Sequence, residues 1–307
     1  MATRKPDGTI ALYEEPLNRH LYQNSIVRLP FVRGVLLLWE MLVLGTRLMA
    51  LSANVATGAL DFPVSPAQEP ADSSNHAIEV SGPQEDERPP MLGGLMLGLT
   101  LLLSLAFAIA VFFVAPLLLT NALHNQIGSG WFNIVVEGAI RLALLIGYLY
   151  LIGRIPDIQR VFGYHGAEHQ AINTMESGQP LDIEHVRQAS RVHTRCGTGF
   201  LLLVMVVSIF VFALVGSPWL PLKILSRILL IPVVAGIAYE LMRLGAANYR
   251  LRAVRWLLAP GLALQGLTTR EPDDSMIECA IAALKRVMQY DTGDAVATAG
   301  VAELPRR

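Results

Sequence analysis

Long apolar blocks dominate the pattern of the chain. Met91–Leu119 runs for 29 residues without a charge, beyond the ~20 residues that a helix needs to cross a bilayer. Phe132–Ile152 is a second block, and its two charges, Glu137 and Arg141, stand four apart on one helix face. Gly199–Val215 is a third, shorter block. Ile224–Gly245 is the fourth, with Arg227 near one end and Glu240 and Arg243 near the other. Pro116 and Pro232 fall inside these blocks, where membrane helices tolerate proline better than soluble ones do. The pattern predicts four transmembrane helices.

The segments around these blocks differ in kind. Residues 1–29 mix charge with Pro and Gly, and Lys5-Pro6-Asp7-Gly8-Thr9 reads as a turn that could close a short hairpin. Residues 30–60 carry a helical apolar pattern interrupted by Arg33, Glu40 and Arg47, each costly in lipid. They read as an interfacial or bundle-buried helix. Residues 61–90 hold six prolines and seven acidic residues against one Arg, the composition of a disordered linker. Residues 91–268 form the transmembrane domain, with a polar connection at 153–198. Within it, Arg250–Thr268 is basic and amphipathic and reads as interfacial. Residues 269–290 predict a soluble helix, begun by Pro272-Asp273-Asp274-Ser275 with Glu278 at capping-box distance. Residues 291–307 read as a disordered tail.

Composition agrees with a membrane location. Of the 307 residues, 53% are hydrophobic and only 16% charged, against roughly a quarter charged in ordinary soluble domains. With 24 basic and 25 acidic residues there is no surplus for nucleic acid. Two cysteines cannot build a disulfide framework. Arg154, Arg160, Arg187, Arg191 and Arg195 crowd the 153–198 connection, whereas 121–130 and 216–221 hold no Lys or Arg. The positive-inside rule therefore puts the connection and both termini in the cytoplasm.

The chemistry concentrates in that connection. His165 and His169 lie one helical turn apart with Glu168 between them, giving H-x-x-E-H, the inverted form of the zinc-hydrolase helix motif. Two imidazoles on one face can grip one divalent ion, most simply Zn²⁺, and Glu168 is placed to act as its base. A third ligand is needed. His193 and Cys196 are the nearest candidates, and Glu240 is another. All four of His165, His169, His193 and Cys196 together would make a closed, structural site. Cys196 is also readable as a packing residue or, beside His193, as a nucleophile. Glu176 and Arg195 are possible further members of the site. Arg191 and Arg195 could hold an anionic substrate or lipid headgroup. Glu137–Arg141 reads as a structural pair, and Glu240 has Arg243 or Arg227 within reach.

Several blocks resemble the YqhQ-like family of bacterial membrane proteins: Arg4–Gly8, Leu29–Gly34, Ser52–Asn54, Tyr164–His169, Arg195–Leu202, Leu229–Leu241 and Thr268–Asp274. The resemblance spans most of Ala2–Met288 and leaves out the acidic linker. It implies a multi-pass protein of the bacterial plasma membrane from a domain family of unknown function, described as a metal-dependent enzyme. Relatives of this pattern open with a Gly-Gly-Gln-Ala-Val segment leading to Glu-Gly-Val-Met-Met-Arg, a piece able to carry a site glutamate, and here the chain begins at Met1 without it.

The sequence thus predicts an all-α integral membrane protein: about four transmembrane helices, interfacial helices and a cytoplasmic His-rich connection. Its expected partners are the lipid bilayer, a membrane-proximal substrate and, as an option, further copies of itself. The leading expectation is a zinc-dependent hydrolase. Its rivals are a scaffold or regulator stapled by a structural metal, and a small-solute or lipid transporter using Glu137, Arg141 and Glu240.

Overall fold

The computed structural model describes residues 1–13, 29–58, 91–123, 131–215 and 219–292. The expected linker at 61–90, and the expected tail from residue 293 onward, lie outside the described residues. The chain is overwhelmingly helical and divides into two units. One comprises residues 1–65, 145–208 and 232–307. The other comprises 66–144 and 209–231.

The first unit opens with a hairpin, β1 (Ala2–Arg4) antiparallel to β2 (Ile10–Leu12), so the chain is not purely α-helical. The turn signal is realised as read. Thr9 N–H donates to Asp7 Oδ1 at 2.9 Å, and Gly8 takes φ +87°, a region open to glycine at no steric cost. Helix α1 (Val32–Ala56) follows, on the segment whose pattern reads as interfacial or bundle-buried. It spans 25 residues, buries only Gly34 and Val55, and is long and apolar enough to cross a bilayer. Arg33 at its start is neutralised by Glu240, to which its Nε donates at 2.7 Å.

Glu240 sits on α9 (Ile231–Ala247). Two glycines let α1 approach that helix: a Cβ at Gly34 would fall 2.8 Å from Tyr239, and one at Gly236 would fall 2.9 Å from the Phe31 carbonyl.

The second unit holds α2 (Met91–Ile109), a π-helical turn (Ala110–Val114), α3 (Ala115–Ala122) and the first part of α4 (Trp131–Ile152). The end of α7 (Gly197–Val215) and all of α8 (Leu220–Leu229) complete it. Pro116 has no N–H to give the carbonyl of Phe112 four residues back. The Nε of Arg141 takes up that carbonyl at 2.8 Å. Arg141 also bonds Glu137 at 2.8 Å, and Arg227 bonds both oxygens of the same carboxylate at 3.2 Å. All three side chains are at most 2% exposed. The expected Glu137–Arg141 pair is therefore a buried triad, with both guanidinium groups lying over the Phe212 ring.

One continuous helix over Ile224–Gly245 is not what forms. Helix α8 ends at Leu229 and α9 begins at Ile231, because Pro232 removes a backbone donor and disfavours helical geometry in the residue before it. By length and composition, four helices among the described residues could cross a membrane: Val32–Ala56, Gly98–Ala122, Phe132–Ile152 and Gly197–Val215. The broken pair would make a fifth.

The 153–198 connection folds on its own small core. Helix α5 (Pro156–Glu176), the short α6 (Ile183–Gln188) and α11 (Asp274–Thr292) bury Ala167, Ala171, Val186, Ile277 and Ile281 together. Helix α11 starts later than its sequence suggested. Asp273 caps it by accepting from the Met276 N–H at 2.9 Å, and Glu278 bonds Arg4 of the hairpin in place of a capping box. Helix α10 (Arg252–Thr268) carries Pro260 and leads into the extended residues 269–273.

Candidate metal centre

Helix α5 presents His165 and His169 on one face, as their spacing requires. Their ring centroids are 4.4 Å apart. Each ring is fixed through its Nδ1. His165 Nδ1 lies 2.8 Å from the Thr268 carbonyl and His169 Nδ1 lies 2.6 Å from the Arg191 carbonyl. A carbonyl only accepts, so each Nδ1 is the protonated nitrogen and donates. That leaves each Nε2 with a lone pair to offer, the usual outer-shell arrangement of a metal-binding histidine.

Cys196 closes the site. Its Sγ lies 3.3 Å from His165 Nε2 and 3.1 Å from the Thr198 hydroxyl. One donor atom each from His165, His169 and Cys196 falls within 4.8 Å of the other two. Cys196 is 6% exposed and His169 3% exposed, and His165 is half-buried. Burial alone would raise the Cys196 thiol. The imidazoles of His165 and His169 and the Thr198 hydroxyl outweigh it and bring the thiol down to about 5. Burial likewise acts to lower His165, but the contact with Cys196, the Thr268 carbonyl and the charge of Glu168 raise it on balance. The Cys196 sulfur is thus biased towards thiolate.

The return of Cys196 to α5 is enforced by side-chain amides that sequence reading passed over. Gln170 Nε2 donates to the carbonyls of Arg187 and Ala189, and Asn173 Nδ2 to those of Ser190 and Val192. Gln265 of α10, 1% exposed, accepts from the His193 N–H at 2.9 Å and donates to the His193 carbonyl at 2.8 Å. The loop from 187 to 193 is therefore strapped along α5, and Cys196 emerges opposite His165. Gly166 completes the fit: a Cβ there would meet the Arg270 carbonyl at 2.2 Å. Gln170 and Asn173 follow His169 at one and four positions, a spacing that could have flagged them. Gln265 carried no comparable signal.

The other expected ligands fall elsewhere. Glu240 is bound to Arg33, with a second contact from the Phe31 N–H at 3.3 Å, and it does not join the His–Cys group. Its carboxylate is taken up by Arg33, 207 positions away in sequence. His193 is close to His169, with ring centroids 5.9 Å apart, but its Nε2 lies 3.5 Å from Glu176. Its main chain, held by Gln265, sets that orientation. Arg195 bonds the same carboxylate at 2.6 Å, so Glu176 and Arg195 flank the site as an exposed ion pair. Glu168 is exposed and outside the ligand group, acting on His165 through its charge. His185 pairs with Asp182 at the start of α6.

The family described as protein of unknown function (DUF1385) matches residues 29–290, which takes in the helices from α1 to α10, most of α11 and the whole His–Cys cluster. The chain belongs to that family. It is also similar to the uncharacterized protein YqhQ of Bacillus subtilis (strain 168), with 33% identity over 294 residues, 94% of this chain and 86% of that relative. No solved structure matches the chain. The DUF1385 match includes Gly166, Gln170, Asn173 and Gln265 along with the three cluster residues.

Proposed function

We propose that this DUF1385 protein is a metal-dependent hydrolase of the bacterial plasma membrane, with His165, His169 and Cys196 holding one divalent ion, most simply Zn²⁺. The observation that carries this reading is the state of the two imidazoles. Both Nδ1–H groups are spent on backbone carbonyls, and both Nε2 atoms are left for a shared ligand beside a thiol biased towards thiolate. Two nitrogens and one sulfur from the protein leave one position of a tetrahedral ion for water or substrate, the pattern of catalytic zinc.

When bound, such an ion supplies Lewis-acid polarisation of a carbonyl or phosphoryl oxygen and acidifies a coordinated water. The chain's own residues do the rest. Thr268 and Arg191 keep the rings in their ligating tautomer, Thr198 steadies the sulfur, and Glu168 on the open side of α5 is the carboxylate available to take a proton. The positive-inside bias of the 153–198 connection supports a cytoplasmic face for the site and for both termini. The apolar helices supply the membrane anchorage, and the substrate is therefore membrane-proximal.

Metal analysis of the full chain purified in detergent tests this. About one zinc, iron or manganese per chain is expected in the wild type and in Glu168→Gln, with loss in His165→Ala and Cys196→Ser. Wild type free of all three metals overturns it.

A further inference from the structure

A cavity of about 410 Å³ lies beside the His–Cys cluster, within the ~300–1,000 Å³ range of small-molecule sites. Its charged lining consists of Arg154, Arg191, Arg270 and Glu271, so three guanidinium groups face one carboxylate. Each guanidinium is already partly engaged. Arg154 bonds the Tyr150 hydroxyl and stacks on that ring, Arg191 meets Glu271 at 3.2 Å, and Arg270 donates to the Gly153 carbonyl at 2.8 Å. A guanidinium has five N–H donors in a fork that matches phosphate oxygens, so each keeps donors to offer. The cavity carries two net positive charges and no second acid.

Its position says what the anion is attached to. Leu149 and Tyr150 of the wall belong to the last turns of Phe132–Ile152, one of the helices able to cross a bilayer, and Arg154 follows directly. The cavity therefore lies at the end of a helix apolar enough to cross a bilayer, where a lipid headgroup would sit if that helix spans. It is also built on the segments that fix the metal ligands. Arg191 lends its carbonyl to His169, and Thr269 of the wall follows Thr268, which lends its carbonyl to His165.

We infer that this cavity binds the phosphate of a phospholipid headgroup. The inference deepens the hydrolase reading and rests on it for one consequence, that the bound lipid is the substrate or its anchor; binding itself needs no metal.

The test uses the detergent-purified full chain and native mass spectrometry with short-chain phosphatidylglycerol, alongside glycerol 3-phosphate and inorganic phosphate. Phosphatidylglycerol should bind at one site, and Arg154→Gln or Arg191→Gln should each weaken it about tenfold, the loss of one charge-assisted contact. Arg160→Gln, an equal loss of charge away from the cavity, should leave binding unchanged. Phosphatidylglycerol affinity that ignores Arg154 and Arg191, or that falls equally with Arg160→Gln, overturns the site. Inorganic phosphate binding as tightly as the lipid overturns the lipid assignment. Metal content measured on the same samples separates the two ideas: lipid binding in a wild type without metal sinks the hydrolase reading alone.

Discussion

His165 Nε2 lies 3.3 Å from Cys196 Sγ, across 31 positions of sequence. This contact joins a helix to the loop strapped along it, and it makes Cys196 chemically unlike Cys279, the other free cysteine, whose thiol burial pushes up. Alkylation of metal-stripped protein with iodoacetamide should show the difference. The Cys196 rate should rise through an inflection near 5, since thiolate is the reactive form and its population is complete above that value. Cys279 should stay inert at neutral pH. Added zinc should protect Cys196. An inflection for Cys196 near the ordinary thiol range of about 8–9 contradicts the pairing.

Gly166→Ala should damage the fold around the cluster, because its new methyl meets a backbone carbonyl, that of Arg270, at 2.2 Å. Overpacking of this kind costs about 1–3 kcal/mol. Gly147→Ala, where nothing lies within 4 Å of the added carbon, should be neutral or slightly stabilising. Thermal unfolding of the two variants in the same detergent checks the contrast.

Glu137 serves two buried arginines, so Glu137→Gln should remove the carboxylate that holds their charges together. Breaking such a buried group by removing one partner costs about 3–5 kcal/mol. Adding Arg227→Met should recover part of that loss, because the remaining Arg141 keeps the Phe112 carbonyl and its aromatic neighbours. Denaturant unfolding of the single and double variants measures both effects.

Glu240→Ala should leave metal content unchanged and lower stability modestly, since its partner Arg33 is 24% exposed and solvent screens what is left. His193→Ala should likewise retain metal, because Gln265 holds the main chain of that residue, which the substitution keeps. Loss of metal in Glu240→Ala, measured by elemental analysis, would return that carboxylate to the ligand set.

Much of this was legible in the sequence because it depends on local periodicity. One-turn spacing put His165 and His169 together, and uninterrupted apolar length marked helices long enough to cross a bilayer. What escaped depends on long-range pairing. Of the three charges within residues 30–60, Arg33 meets Glu240, 207 positions away, and its charge is neutralised there. Cys196 rather than Glu240 lies beside His165 and His169 because Gln170, Asn173 and Gln265 route the loop, and no residue spacing encodes that route. Pro232 was visible and read as tolerated within one helix, whereas the helix breaks between Leu229 and Ile231.

Zinc K-edge X-ray absorption on the purified protein tests the His165–His169–Cys196 centre most directly. One sulfur at about 2.3 Å and two imidazole nitrogens at about 2.0–2.1 Å are expected around the metal, with the sulfur shell absent in Cys196→Ser. A wild-type spectrum with only nitrogen and oxygen neighbours, or one that Cys196→Ser leaves unchanged, would contradict the assignment.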